Sequence, residues 1–474
     1  MQVFYHDCLA RANLIFPRCG NYLSMAWKIC KKLFHSVENL TSSGRNPFGG
    51  IGICCFMADF LRVWGVSCRG SGFVRPFRTL NAGRWTLICA KSVYPVNTKR
   101  IILISTDPPD RMCGSMARYA GMVREALETQ GPGEYQIEDM CLSPRQSWLE
   151  RWPVKAQTLV RYGMIAFQAR RRLPAQSRAI LHLLDGSHAY LLGAVRRLAA
   201  PLVVTVHDCI PLLCLHGELG GQRVSGFSRW LLPRVLAGLR RADAWVADSA
   251  NTREDLVRLV GVDERAVYSV PPAKFSFPAF HSLPSKDSRS YMLHVSGNNN
   301  FYKNRSGVID VFQLVRKTEN VRLIMAGAPP DRVLQHKIAA AGVESDVEFQ
   351  INISESQLAG LYQHAALLLF PSYYEGFGWP PLEAMGCGCP VVCSHAGSLP
   401  EVVGSAALMA APTDISGLAE HCRGVLRDSA LRARLVAAGR EQAARFTLER
   451  MGAGLLTAYV AAEATVERRE ASAP

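Results

Sequence analysis

The sequence predicts an α/β protein of two Rossmann-like, doubly wound domains that face each other across a cleft. Three observations carry this. Short continuous apolar runs alternate with polar loops and amphipathic helical stretches, the pattern of parallel strands buried on both faces. The alternation stops at a polar, proline-bearing stretch around residues 281–290 and then restarts. The chain has 474 residues, 49% hydrophobic and 20% charged, enough for more than one core. The expected division is 1–95, an atypical N-terminal extension; 96–285, a first domain; 286–447, a second domain; and 448–474, a C-terminal helix with a tail.

Residues 1–95 lack sustained periodicity and carry twelve Lys/Arg against three Asp/Glu. They are read as a membrane-associating extension, an accessory element, or upstream sequence preceding the true start, and the third is the expectation. Order begins with the strand Lys99-Arg-Ile-Ile-Leu-Ile-Ser105. A loop, Thr106 to Gly114, leads to a helix from Ser115 to Leu127 with Ser115 as N-cap. Further strands are expected at 179–184, 201–206, 244–247 and 266–270, with a helix over 251–259. The strand at 201–206 ends at His207-Asp208, and the one at 244–247 at Asp248-Ser249. In the second domain, strands are expected at 291–295, 321–325, 347–349 and 366–370.

The most informative stretch follows that last strand: Pro371-Ser-Tyr-Tyr-Glu-Gly-Phe-Gly-Trp-Pro-Pro-Leu-Glu-Ala-Met-Gly386. Strand, glycine loop and helix start are consecutive. The arrangement presents helix-terminal N–H groups and a positive dipole end to an anion. Glu375 and Glu383 flank it and can accept hydrogen bonds from hydroxyls. Amides for phosphate beside carboxylates for hydroxyls suit a nucleotide sugar. Glutamates eight apart mean little alone, but Gly388-Cys-Pro-Val-Val-Cys-Ser394 and Leu399-Pro-Glu-Val-Val-Gly-Ser-Ala-Ala407 continue the pattern.

This run resembles the Glu-x7-Glu signature of the retaining glycosyltransferases of family 4, which have the GT-B fold. The resemblance extends from about 98 to 460 and implies sugar transfer from a nucleotide diphosphate donor to a glycan or lipid-linked acceptor. It assigns Glu375, beside the transferred sugar, the stabilising of oxocarbenium-like charge; Glu383 the ribose hydroxyls; and Lys303 the pyrophosphate. Gly376, Phe377 and Gly378 would offer backbone amides, and Gly297 ends the strand before Lys303. Where relatives often carry an arginine, this chain has Tyr302 and Asn298, so Arg305 stands as the second phosphate cation. In the first domain the resemblance places His207 against the donor sugar, with Asp208 orienting its ring, and Gly114 on the first strand–helix loop. It also implies that the last helix, roughly Leu448 to Ala462, crosses back onto the first domain. A GT-B nucleotide-sugar epimerase and a non-catalytic nucleotide-binding relative are the alternatives.

Other classes fit less well. No run approaches the roughly 20 apolar residues that span a bilayer. The net charge of +15 comes without a finger, RNP-like or basic-zipper pattern, so no nucleic-acid partner is expected. The 15 cysteines lack the Cys-x2-Cys spacing of zinc sites and read as reduced thiols of a cytoplasmic protein. No Asp-x-Asp motif points to a metal, and no cofactor is expected. The basic, aromatic stretch from Trp148 to Arg172 is a solvated helix face or a contact with anionic membrane. The expected setting is bacterial surface-polysaccharide synthesis, with mannose one guess for the sugar.

Overall fold

The computed structural model describes residues 99–106, 115–131, 135–143, 154–173, 178–195, 199–220, 224–278, 289–298 and 300–472. The expectations for residues 1–95, for the loop carrying Gly114, for Trp148 to Pro153 and for most of the interdomain linker lie outside them.

The first sheet contains β1 (Lys99–Ser105), β2 (Tyr135–Cys141), β3 (Ile180–Leu183), β4 (Leu202–Val206), β5 (Ala244–Ala247) and β6 (Val267–Ser269). All pairings are parallel, in the order β2-β1-β3-β4-β5-β6. Its helices are α1 (Ser115–Gln130), α2 (Val154–Arg172), α3 (Ile210–Leu215), α4 (Gly226–Leu239) and α5 (Ala250–Val260). The second sheet contains β7 (Tyr291–Ser296), β8 (Arg322–Gly327), β9 (Val347–Ile351), β10 (Leu367–Phe370), β11 (Val391–Ser394) and β12 (Ala407–Ala410). It is also parallel, in the order β12-β11-β10-β7-β8-β9. Around it lie α6 (Arg305–Arg316), α7 (Arg332–Ala341), α8 (Glu355–His364), α9 (Trp379–Gly386), α10 (Leu399–Val403), α11 (Ile415–Arg427) and α12 (Ser429–Ala444). The final helix is α13 (Leu448–Ala471).

Each sheet separates two apolar layers, so the central strands are buried on both faces. β4 shows the rule, with all five residues buried. β2 departs from it. As an edge strand it interleaves Gln136, Glu138 and Asp139 with apolar residues, which hid it from a search for continuous runs. The second sheet has the strand order of a dinucleotide-binding fold, with its switch point between β7 and β10. The first has the flavodoxin-like order, switching between β1 and β3. Open α/β sheets bind ligands where the strand order reverses.

α13 packs on the first domain. Met451, Leu455, Ala458, Tyr459 and Ala462 join Tyr119, Val123 and Ala126 of α1 in one buried layer. Gly452 permits this, because a Cβ there would overlap the Ala126 carbonyl oxygen. The Tyr459 hydroxyl meets Nδ1 of buried His182 at 2.8 Å, and Nε2 of that ring meets the Thr205 hydroxyl at 2.8 Å. Burial lowers the His182 pKa to about 3, so the ring is a neutral structural group.

Candidate active site

The second sheet places two loops side by side at its switch point, one after β7 and one after β10. Asn304 ties them together. It adopts a left-handed conformation, φ 50°, which asparagine tolerates better than most residues. Its side-chain oxygen caps α6 at Gly307 N, 3.1 Å away. Its side-chain nitrogen donates to the carbonyls of Pro371 (2.8 Å) and Pro412 (3.1 Å). The tie brings the neighbouring Lys303 to Glu375. Lys303 Nζ donates to both carboxylate oxygens, at 3.0 and 2.8 Å, and both side chains are largely buried. Burial alone would lower the lysine pKa, but the Glu375 charge outweighs it and raises the value. A buried pair of this kind is costly to break from one side only.

Glu383 lies within α9 and is buried. Its Oε1 accepts from Arg118 Nη1 at 2.5 Å and its Oε2 from the Tyr362 hydroxyl at 2.8 Å. Burial pushes its carboxyl up to about 7, against the pull of Arg118 and Tyr362. Arg118 belongs to α1 of the first domain. Its guanidinium also meets Glu355 at 3.1 Å and lies 4.5 Å from the Phe275 ring centre. An isolated arginine on a helix gives the sequence no signal that it will reach across the cleft.

Two expectations about phosphate-binding groups need correction. The first turn of α9 contains Pro380 and Pro381, which have no N–H. The helix start therefore offers an anion fewer amides than an ordinary first turn, and Gly376, Phe377, Gly378 and Trp379 are the residues there that keep one. Arg305 is the second correction. It is buried at the start of α6 and donates to the carbonyls of Ala328 (2.9 Å) and Pro329 (3.2 Å). It braces the loop after β8. Gly297, after β7, borders open space where a Cβ would stand.

The first domain contributes His207, at the carboxyl end of β4. Its Nδ1 lies 2.6 Å from Asp248 Oδ2 and its Nε2 2.9 Å from the Leu184 carbonyl. Tyr119 presents its ring edge-on at 4.7 Å. Burial would lower the histidine pKa, but Asp248 more than compensates and holds it up at about 9. The carboxylate that orients this ring is therefore Asp248, and not Asp208. Asp208 instead accepts from Ile210 N at 3.0 Å, in the turn that opens α3. The missed signal was available, since β4 and β5 are parallel and both were expected to end at these residues. Parallel neighbours bring their carboxyl ends together.

The halves meet at Gly376. A Cβ there would overlap the His207 carbonyl oxygen, so only glycine lets the loop approach so closely. Glu375, Lys303 and Glu383 of one domain thus share a cleft with His207 of the other. Beside His207 and Asp208 a cavity of about 370 Å3 opens in the first domain, lined also by Asp185, Ser187, Tyr162 and Phe227. Among the described residues no group of three His, Cys, Asp or Glu is placed to hold a metal ion. Partial burial pushes the Cys387 thiol up to about 12, and Cys389 and Cys393 are buried, so these sulfurs pack as neutral thiols.

The family model described as Glycosyl transferases group 1 matches residues 278–442, and that described as Glycosyltransferase Family 4 matches residues 129–273. The chain is similar to O-antigen chain mannosyltransferase B of Escherichia coli, 36% identical over 175 residues, or 36% of this chain and 46% of that protein. The chain thus spans less than half the length of that relative. Among solved structures it resembles sucrose-phosphate synthase of Thermosynechococcus elongatus (TM-score 0.62, 19% identity, 76% of this chain and 98% of that one). It also resembles the Anabaena protein HepE solved with UDP and glucose (TM-score 0.55, 17% identity, 76% and 98%). With two adjoining family matches, a paired-sheet GT-B architecture and the paired glutamates in their cleft, the chain belongs to the group 1 glycosyltransferases.

Proposed function

We propose that the protein is a retaining hexosyltransferase of bacterial surface-polysaccharide synthesis, moving a sugar, with mannose the first choice, from a nucleotide diphosphate donor to a glycan or lipid-linked acceptor. The observation that carries this reading is the convergence of Lys303, Glu375 and Glu383 with His207 on one cleft. Glu383 would take the ribose hydroxyls, and Lys303 the departing diphosphate, whose negative charge it stabilises. Glu375 would hold a sugar hydroxyl and stabilise positive charge at the anomeric carbon. His207, its two ring nitrogens held by Asp248 and the Leu184 carbonyl, would line the wall of the cleft that the donor sugar meets. The cavity beside His207 suits the acceptor, whose hydroxyl would attack from the face the leaving phosphate departs, giving that phosphate its proton. Mannose is favoured because the matched Escherichia coli relative is a mannosyltransferase.

In this reading no metal or cofactor takes part, Lys303 serving the phosphates, and chelator should leave the rate unchanged. We place the enzyme in the cytoplasm, with the exposed basic end of α2, Arg170 to Arg172, facing anionic lipid. No described helix is long and apolar enough to cross a membrane. The test is thermal denaturation with UDP-, GDP-, ADP- and dTDP-sugars. A ligand specific for the native state raises the midpoint. Stabilisation by one nucleotide class, abolished in Glu383→Ala, supports the reading. An unshifted midpoint with every donor would sink it.

A further inference from the structure

The motif from Leu399 to Ala407 contains a glutamate that donor chemistry leaves unused. Glu401 is on α10 of the second domain, and its carboxylate reaches the first domain. Oε2 accepts from Ala250 N at 2.8 Å and Oε1 from Asn251 N at 3.1 Å. These are the opening amides of α5, which have no partner within their own helix. The helix dipole favours a negative charge there, and charged acceptors make the stronger bonds.

The same helix end grips the loop beside Glu375. The Ser249 and Thr252 hydroxyls donate to the Gly376 carbonyl at 2.6 and 3.1 Å. The Asn251 side chain donates to the Tyr374 hydroxyl at 2.5 Å, and that hydroxyl donates to Asp255. From its own domain the loop is held by Ser398, whose hydroxyl donates to the carbonyls of Glu375 (3.0 Å) and Phe377 (2.6 Å). The backbone around Glu375 is therefore clamped between the start of α10 and the start of α5. Glu401 spans both parts of the clamp.

We propose that Glu401 is a positioning residue: by capping α5 across the domain interface it holds the cleft closed and sets Glu375 against His207. Its contribution falls on turnover more than on donor affinity, because Lys303 and the Tyr362 hydroxyl that holds Glu383 belong to its own domain and do not depend on the cap.

The proposed effect on turnover rests on the transfer reading, so two independent readouts are needed. The first is small-angle scattering of the full chain without substrate, which requires no activity. Glu401→Ala should enlarge the radius of gyration, and Glu401→Gln, which keeps one acceptor, should fall between. The second is kinetics with the donor class that stabilises the protein, and calorimetry with UDP and GDP. Glu401→Ala should lower kcat about tenfold, a barrier change of about 1.4 kcal/mol, with nucleoside diphosphate affinity within twofold. Glu401→Gln should recover part of the loss. Glu401 is exposed, so both variants should fold. Thr252→Val removes a hydroxyl on the facing side of the clamp, and its effect on kcat should be non-additive with that of Glu401→Ala. A variant as compact as wild type overturns the proposal, as does additivity or unchanged kcat. If wild type transfers no sugar, the transfer reading fails and scattering alone decides the clamp.

Discussion

The two domains hold their candidate site residues by different means. In the second, Lys303 and Glu375 sit on adjacent loops at one switch point and bind each other directly, with Asn304 tying the loops. In the first, His207 depends on Leu184, Tyr119 and Asp248, from three separate segments. One half is almost self-contained and encoded by short contiguous runs. The other exists only when a whole sheet has assembled. The second domain is thereby built to keep its geometry alone, whereas the first domain and the closure contacts carry the sensitivity to distant change.

Predictions test that contrast. The largest effect should come from Gly376→Ala, where the new methyl would collide with the His207 carbonyl. Displacing the loop by about 1 Å should cost roughly a hundredfold in kcat, while calorimetry should show nucleoside diphosphate affinity nearly unchanged. Loss of affinity instead would mean the second domain is not self-contained. Glu375→Gln should lower kcat by on the order of a hundredfold, as removing one transition-state electrostatic partner commonly does, and leave Lys303 without its charge partner. Glu383→Ala should weaken nucleotide binding by about tenfold or more, the scale of a hydrogen bond to a charged group, measured by calorimetry.

Smaller effects concern the first domain. The His207 pKa is raised from 6.5 to about 9. Its protonated form therefore adds stability that is full below pH 6.5 and is lost as the pH rises through 9. Denaturant unfolding across that range should show the decline in wild type and a flatter curve in His207→Gln. Tyr459→Phe should cost about 1 kcal/mol, because it leaves buried His182 Nδ1 without its partner. It should leave nucleotide affinity intact.

Legibility followed the same division. Apolar runs revealed the central strands of the first sheet and β7, β8 and β10 of the second because burial on both faces leaves a continuous signature, whereas the short β11 and β12 were not expected as strands. The edge strand β2 escaped, since one open side lets Gln136, Glu138 and Asp139 interrupt it. Glu375, Glu383 and Lys303 were expected from local motifs, and the fold brings Lys303 against Glu375. Asp208 was expected to orient His207, yet its carboxylate turns to the Ile210 amide while Asp248, from the neighbouring strand end, meets the ring. Arg305 was chosen for its charge, and its burial against the carbonyls of Ala328 and Pro329 assigns it to holding a loop. Arg118 carried no local mark, and the Leu399–Ala407 motif that contains Glu401 gave no sign that its carboxylate reaches the other domain.

By itself, then, the sequence determined the α/β alternation, the restart that makes two domains, and the glycine loop between two carboxylates. Each is a pattern of neighbours along the chain, and periodicity and turn chemistry are local. Only the tertiary structure decided that Asp248 orients His207, that Arg118 reaches Glu383, and that Glu401 caps a helix of the opposite domain. Those pairings depend on how parallel strands align their ends and how two sheets face each other. No residue's immediate neighbours contain that information.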